Sequence, residues 1–211
     1  MTSTKRRVAC FCEATFEADI PDTADLAADP EVEQSILDGD FMAVTCPACG
    51  KRLTPEYPFR LTGVKGMGEV LLVPEPERAA LARGKLEIIT GREGRVVAGF
   101  PELAEKLVIA AAGLDDRVIE IMKYYLLTGG ASHAPSESGE EVTILYRGLE
   151  EDKHLFHIVG MKKGEVGVAR LAPALYARIA ADVKTRVQEE PFRDFCTPPW
   201  VSLRRVSGSP S

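Results

Sequence analysis

Four of the five cysteines in this 211-residue chain fall into two tight pairs. They are Cys10-Phe11-Cys12 and Cys46-Pro47-Ala48-Cys49-Gly50, and no other feature constrains the fold as strongly. Two cysteines separated by one or two residues can both point inward from one tight turn. Two such turns close a cage of four sulfurs, the arrangement zinc takes with thiolates at about 2.3 Å in structural sites. Gly50 supplies the left-handed backbone such a turn needs, and Pro47 fixes its own dihedral and stiffens the approach. Each half also places an apolar residue four positions beyond its second thiol, Phe16 after Cys12 and Leu53 after Cys49. The pattern predicts two strand-flanked knuckles facing each other across one zinc ion, with Glu13 standing in the first where a glycine is expected.

Other chemistries compete for the same residues. Cys46 and Cys49 can serve as a thiol-based redox or zinc sensor, since two thiols at that spacing form a labile disulfide. A thioredoxin-like site places that motif ahead of a long helix, whereas Lys51-Arg52-Leu53-Thr54-Pro55 is no helix start. Catalytic zinc keeps an open coordination position, and four thiolates leave none, so no catalytic residues are assigned. Two readings of Cys10 stand side by side. Residues two apart on a strand share a face, so both sulfurs converge if the chain bends at Phe11; otherwise Cys12 ligates alone and an outside group or water is the fourth ligand.

The surrounding chain bears on compartment and partners. Net charge is −6, which disfavours nucleic acid as a partner, although a zinc-ribbon protein associated with nucleic acid is kept as a second alternative. Lys5-Arg6-Arg7 and Arg204-Arg205 are short basic runs read as solvated. No export segment is read between Val8 and Phe16, a stretch broken by Glu13. The most apolar stretch, Leu103 to Leu127, is interrupted by Asp115, Asp116, Arg117 and Glu120, so no membrane span is expected. The expected location is the cytoplasm, where thiols stay reduced and clustered cysteines serve metals.

Along the chain, Phe16, Ala18 and Ile20 alternate with Thr15, Glu17 and Asp19 as on a strand. Asp29-Pro30-Glu31 opens a short helix, with Asp29 expected as N-cap and Pro30 at the first helical position, Val32, Ile36 and Leu37 on its apolar face and Gly39 at its end. Strands are expected over Phe41–Thr45, Leu53–Leu61, Glu69–Val73 and Leu86–Ile89, with a short helix over Glu77–Arg83. Two helices, Pro101–Ala112 and Leu114–Thr128, meet at Gly113, the second with an apolar stripe of Leu114, Val118, Ile121, Met122, Tyr125 and Leu126. Gly129–Gly139 reads as a loop or hinge. Strands Glu141–Arg147, His154–Val159 and Val166–Leu171 follow, then a helix from Pro173 to Gln188 and an irregular tail after Pro191.

The residues Asp29-Pro30-Glu31, Leu37-Asp38-Gly39, Thr45-Cys46-Pro47-Ala48-Cys49-Gly50, Glu56-Tyr57-Pro58 and Leu71-Leu72-Val73-Pro74 occur in the order found in CpXC-domain proteins, a bacterial, zinc-ribbon-like family. The chain resembles that family from Arg7 to Val73. The segment from Glu102-Leu103-Ala104-Glu105-Lys106 through Leu114-Asp115-Asp116-Arg117-Val118-Ile119-Glu120 is similar to what often follows the domain. The family usually has Cys-Pro-x-Cys where this chain has Cys10-Phe11-Cys12. The resemblance implies zinc binding and brings no catalytic residues.

The remaining candidates are declined. His154 and His157 differ by an odd number and face opposite sides of a strand; His133 lies in the loop. Asp115 and Asp116 sit where a helix favours negative charge. Cys196 stands apart from both pairs. Gly63-Val64-Lys65-Gly66-Met67-Gly68 lacks the features of a nucleotide loop. The expected fold is α+β. Residues 1–75 form an antiparallel zinc-binding module, 76–130 a helix-rich middle, and 131–211 a small antiparallel sheet with a C-terminal helix and irregular tail. The expected function is a non-enzymatic zinc-stabilised binding or scaffold protein with a protein partner. The Tyr124-Tyr125-Leu126-Leu127 end of the helix is its candidate apolar patch.

Overall fold

The alternation at Phe16, Ala18 and Ile20 belongs to one arm of a long hairpin. The structure, a computed structural model that describes residues 1–129 and 141–206, pairs β1 (Thr2–Ala9) with β2 (Thr15–Asp25) in antiparallel register, Val8 opposite Phe16. Thr15, Glu17 and Asp19 are exposed while Ile20 is fully buried, so the period-two pattern sorts the two faces as expected. The chain forms two compact units, Met1–Ala104 and Glu105–Ser211.

In the first unit, α1 (Glu31–Leu37) buries Val32 and Ile36 and ends at Gly39, whose φ is +75. Pro30 rather than Asp29 caps it, a one-residue shift at a frayed end. The strands β3 (Val44–Thr45) and β4 (Arg52–Leu53) make a minimal antiparallel pair. The strand expected over Leu53–Leu61 is divided: Pro55 and Pro58 cannot donate to a ladder, so β4 ends and β5 (Phe59–Val64) begins after them. β5 turns into β6 (Gly68–Val73), and α2 (Arg78–Ala82) leads to β7 (Arg95–Ala98). The five-stranded sheet runs β1-β2-β5-β6-β7. Its hairpins are antiparallel, and the β2/β5 and β6/β7 neighbours are parallel because intervening elements let the chain cross over. No strand forms at Leu86–Ile89, where Ile89 is 70% exposed and has little to pack against; the edge is made by β7, whose Val96, Val97 and Ala98 are fully buried.

Helix α3 (Gly99–Ala111) carries the chain into the second unit. There α4 (Asp116–Gly129) follows a turn at Gly113, with φ +66. β8 (Thr143–Glu150), β9 (Lys153–Val159) and β10 (Val166–Leu171) form an antiparallel sheet in the order β10-β9-β8, and α5 (Pro173–Arg186) packs on α4. The tail expected to be irregular instead forms α6 (Phe192–Cys196). The reason is packing: Phe192, Phe195 and Tyr124 gather with ring centroids 5.5 to 6.0 Å apart, and Trp200 and Val201 are buried after them. The Tyr124–Leu127 end of α4 is thereby half covered rather than an open patch, and the Tyr125 hydroxyl lies 2.8 Å from Arg186.

The stripe on α4 is buried at Val118, Ile121 and Met122, but so are three charged neighbours on the same helix: Asp116, Glu120 and Lys123. They meet Glu105 and Lys106 of α3. Lys106 Nζ lies 3.1 Å from Asp116 and 3.6 Å from Glu120; Lys123 Nζ lies 3.0 Å from both Glu105 and Glu120. Three backbone groups join them. Lys106 donates to the Val201 carbonyl at 2.6 Å, the Tyr146 amide donates to Glu105 at 2.6 Å, and the Leu203 amide donates to Glu120 at 2.7 Å. The network thus ties β8 and the tail to the helix pair, as buried charges require.

Candidate metal centre

The first cysteine pair crowns the β1–β2 hairpin and the second crowns β3–β4. In the first turn the Cys10 amide donates to the Ala14 carbonyl at 2.8 Å and the Glu13 amide to the Cys10 carbonyl at 2.9 Å. In the second the Cys46 amide donates to the Lys51 carbonyl and the Gly50 amide to the Cys46 carbonyl, both at 2.9 Å. The two turns are therefore built alike, the second one residue longer. Gly50 has φ +71, and Glu13 occupies the matching place with φ +68. A side chain in that region is strained, and the turn holds Glu13 there nonetheless.

This geometry brings all four sulfurs together. The Sγ atoms of Cys10, Cys12, Cys46 and Cys49 lie within 4.8 Å of one another. The Cys10–Cys49 contact is 3.6 Å and Cys12–Cys46 is 3.8 Å, against an edge of about 3.8 Å for a tetrahedron with ~2.3 Å bonds. Phe11 is 88% exposed, so the chain does bend there and turn its ring outward. Cys10 and Cys46 are buried, while Cys12 and Cys49 are exposed. The four cysteines can hold a metal ion at the rim of the unit, each knuckle contributing one inner and one outer sulfur.

The local electrostatics are those of four crowded sulfurs. The Cys12 amide draws the Cys10 thiol down, but burial and the neighbouring sulfurs outweigh it and push the pKa up to about 12. Burial raises Cys46, yet the Cys49 and Ala48 amides and the Cys10 and Cys49 sulfurs overcome it and bring the value down to about 7. Backbone N–H groups turned toward sulfur in this way stabilise thiolates as ligands.

The other sequence candidates lie elsewhere. Cys196 is buried, donates to the Arg117 carbonyl at 3.8 Å, and is held well above the usual thiol range by burial. His154 is buried beside Tyr146 and Tyr176, while His157 is half-buried on the other face of β9; His133 lies outside the described residues. Asp115 pairs with Arg117 at 2.6 Å, and Asp116 belongs to the buried network. That network is what sequence reasoning missed. Its signal was present as Asp116, Glu120 and Lys123 at four- and three-residue steps on an apolar helix, a spacing that places them on one side.

A family model described as CpXC protein matches residues 8–123, a span that holds both knuckles and ends at Lys123. An "Uncharacterized protein" of Treponema pallidum (strain Nichols) is 27% identical over 188 residues, which cover 81% of this chain and 84% of the relative. No solved structure matches.

Proposed function

The chain belongs to the CpXC protein family, and from that premise we propose that it is a non-enzymatic binding or scaffold protein whose Cys10, Cys12, Cys46 and Cys49 hold one structural zinc ion. The observation that carries this reading is the four-sulfur cluster itself. Four thiolates in a near-tetrahedral set suit zinc, and no coordination position is left for a substrate. Bound zinc would supply folding energy. The β3–β4 pair has two residues in each strand, too short a hairpin to stand in water alone, and a metal shared with Cys10 and Cys12 would pin it to the longer hairpin.

A protein partner fits better than nucleic acid. Lys5 and Arg7 lie opposite Asp19 and Glu17 in the β1–β2 ladder, which offsets their charge. Among the described residues no helix is long and apolar enough to cross a membrane. Reduced thiols are expected in the cytoplasm, and the reading places the protein there. Elemental analysis of the purified chain tests the proposal. About one zinc per chain is expected, with the four cysteines unreactive toward a thiol reagent until a chelator is added. A folded, monodisperse protein without zinc would overturn it, and reversible Cys46–Cys49 oxidation with zinc release would favour the sensor alternative.

A further inference from the structure

A groove of about 370 Å³ opens in the first unit between β2, α1 and the segment entering β3. Its floor is apolar: Val32, Phe41 and Met42 are 5%, 5% and 6% exposed. Its rim carries Asp19, Asp29, Glu31 and Asp40, and no lysine, arginine or histidine lines it. Asp40 is engaged by Arg52 at 2.5 Å; Asp29 and Glu31 make no ion pair among the described residues. Asp19 lies opposite Lys5 and Met1 also lines the groove, so the unmatched acids are Asp29 and Glu31. An apolar floor beside these two carboxylates selects an apolar side chain flanked by cations. Anions and acidic surfaces are repelled by the same rim.

We propose that this groove docks a basic segment of a partner protein, with one apolar side chain seated on Val32, Phe41 and Met42 and lysine or arginine residues meeting Asp29 and Glu31. The site rests on the metal-stabilised reading through one wall. Ala43 and Val44 line the groove and lead through Thr45 into Cys46, while Arg52, which holds Asp40, sits on the other arm of the same knuckle hairpin. The metal centre would fix the wall against which the partner binds.

The probes are three acetylated, amidated hexapeptides, Lys-Leu-Lys-Lys-Leu-Lys, its Leu-to-Ala counterpart and its Glu-for-Lys counterpart, titrated into the full chain and followed by amide NMR. The first should shift Val32, Ser35, Met42 and Val44, the alanine peptide should bind more weakly, and the acidic peptide should not bind. Asp29→Asn with Glu31→Gln should raise Kd about fivefold, the scale of two exposed charge pairs, while Glu33→Gln, outside the lining, should leave it unchanged. Equal binding of the acidic peptide, shifts mapping elsewhere, or an unchanged Kd in the double variant overturns the proposal. Zinc content is measured on the same sample. A zinc-loaded protein that ignores the peptide sinks the groove and leaves the metal reading; a folded, zinc-free protein that binds it does the reverse.

Discussion

The cysteine knuckles and the buried charge network answer the same problem, how to fix a chain end or a short hairpin, by opposite means. The knuckles place two of four sulfurs at the surface, one pair on the two-residue strands β3 and β4, and in the proposed reading a zinc ion would pin them. The network places two ammonium groups and three carboxylates in the interior, paired with one another and joined by the Val201 carbonyl and the Tyr146 and Leu203 amides. Burial pushes Glu105 above its usual range even against the nearby Lys123. Burial would lower Lys106, but Asp116, Glu120 and Glu105 outweigh it and hold it above an ordinary lysine. The comparison teaches that charge density alone does not mark a ligand site. Four sulfurs gathered with backbone amides and no side-chain cation beside them can hold a metal, whereas carboxylates already matched to lysines have their counter-charge.

The largest effect should come from the metal side. A structural zinc site contributes on the order of 10 kcal/mol in isolated peptides, more than a domain's usual margin. Cys49→Ser, or chelation of the parent, is therefore expected to abolish zinc binding and open the amides of residues 10–53 to hydrogen exchange. Trp200, the single tryptophan, is buried in the second unit, and its emission should not change. Retained zinc and unchanged protection in Cys49→Ser would mean the wrong ligand set. Loss of the Trp200 signal together with zinc would show that the two devices stabilise one cooperative whole.

The converse experiment removes a network partner. Glu120 contacts both lysines and accepts from Leu203, so Glu120→Ala leaves uncompensated buried charge and a buried amide without its acceptor. Breaking a buried pair in this way costs about 3–5 kcal/mol, to be read as a lowered urea midpoint of Trp200 fluorescence with zinc content unchanged. A variant as stable as the parent would mean that water reaches the cluster and that the network is not the interior device described here.

These two regions were unequally legible in the sequence. The knuckles could be read because metal ligation demands particular residues at short spacings, and Glu13 was correctly placed as the stand-in for glycine by its position after the second thiol. β2, α1, β6 and the helix pair follow local periodicity and punctuation, and their limits fell within a few residues. What escaped depends on distant contacts. Arg95–Ala98 is too short a run to signal a strand until β6 pairs with it. Phe192–Cys196 has no helical pattern of its own and folds because Tyr124 offers a ring to pack on. The charged positions of α4 looked like interruptions of an apolar stripe, since nothing local announces that Glu105, Lys106 and two tail backbone groups will meet them.

The smallest expected effect lies beside the network and depends on pH. The ring of His154 stacks on Tyr176 at 5.1 Å, its Nδ1 lies 3.3 Å from the Tyr146 hydroxyl, and burial holds its pKa below the ordinary histidine value. The folded chain therefore keeps this imidazole neutral where the unfolded chain takes up a proton. Stability is fully present above the unfolded value of about 6.5 and is lost as pH falls through the lower, folded value, because the unfolded state then binds more protons. His157 is also held down, by burial and Arg147, but it is half-exposed and contributes less. Between pH 7.5 and pH 5 the second unit should lose stability on this account, measured as a falling urea midpoint of Trp200 emission. His154→Gln should flatten that slope, and His157→Gln should flatten it less. If His154→Gln keeps the parent slope, the histidine is protonated within the fold, and the acid sensitivity belongs to the carboxylates of the network instead.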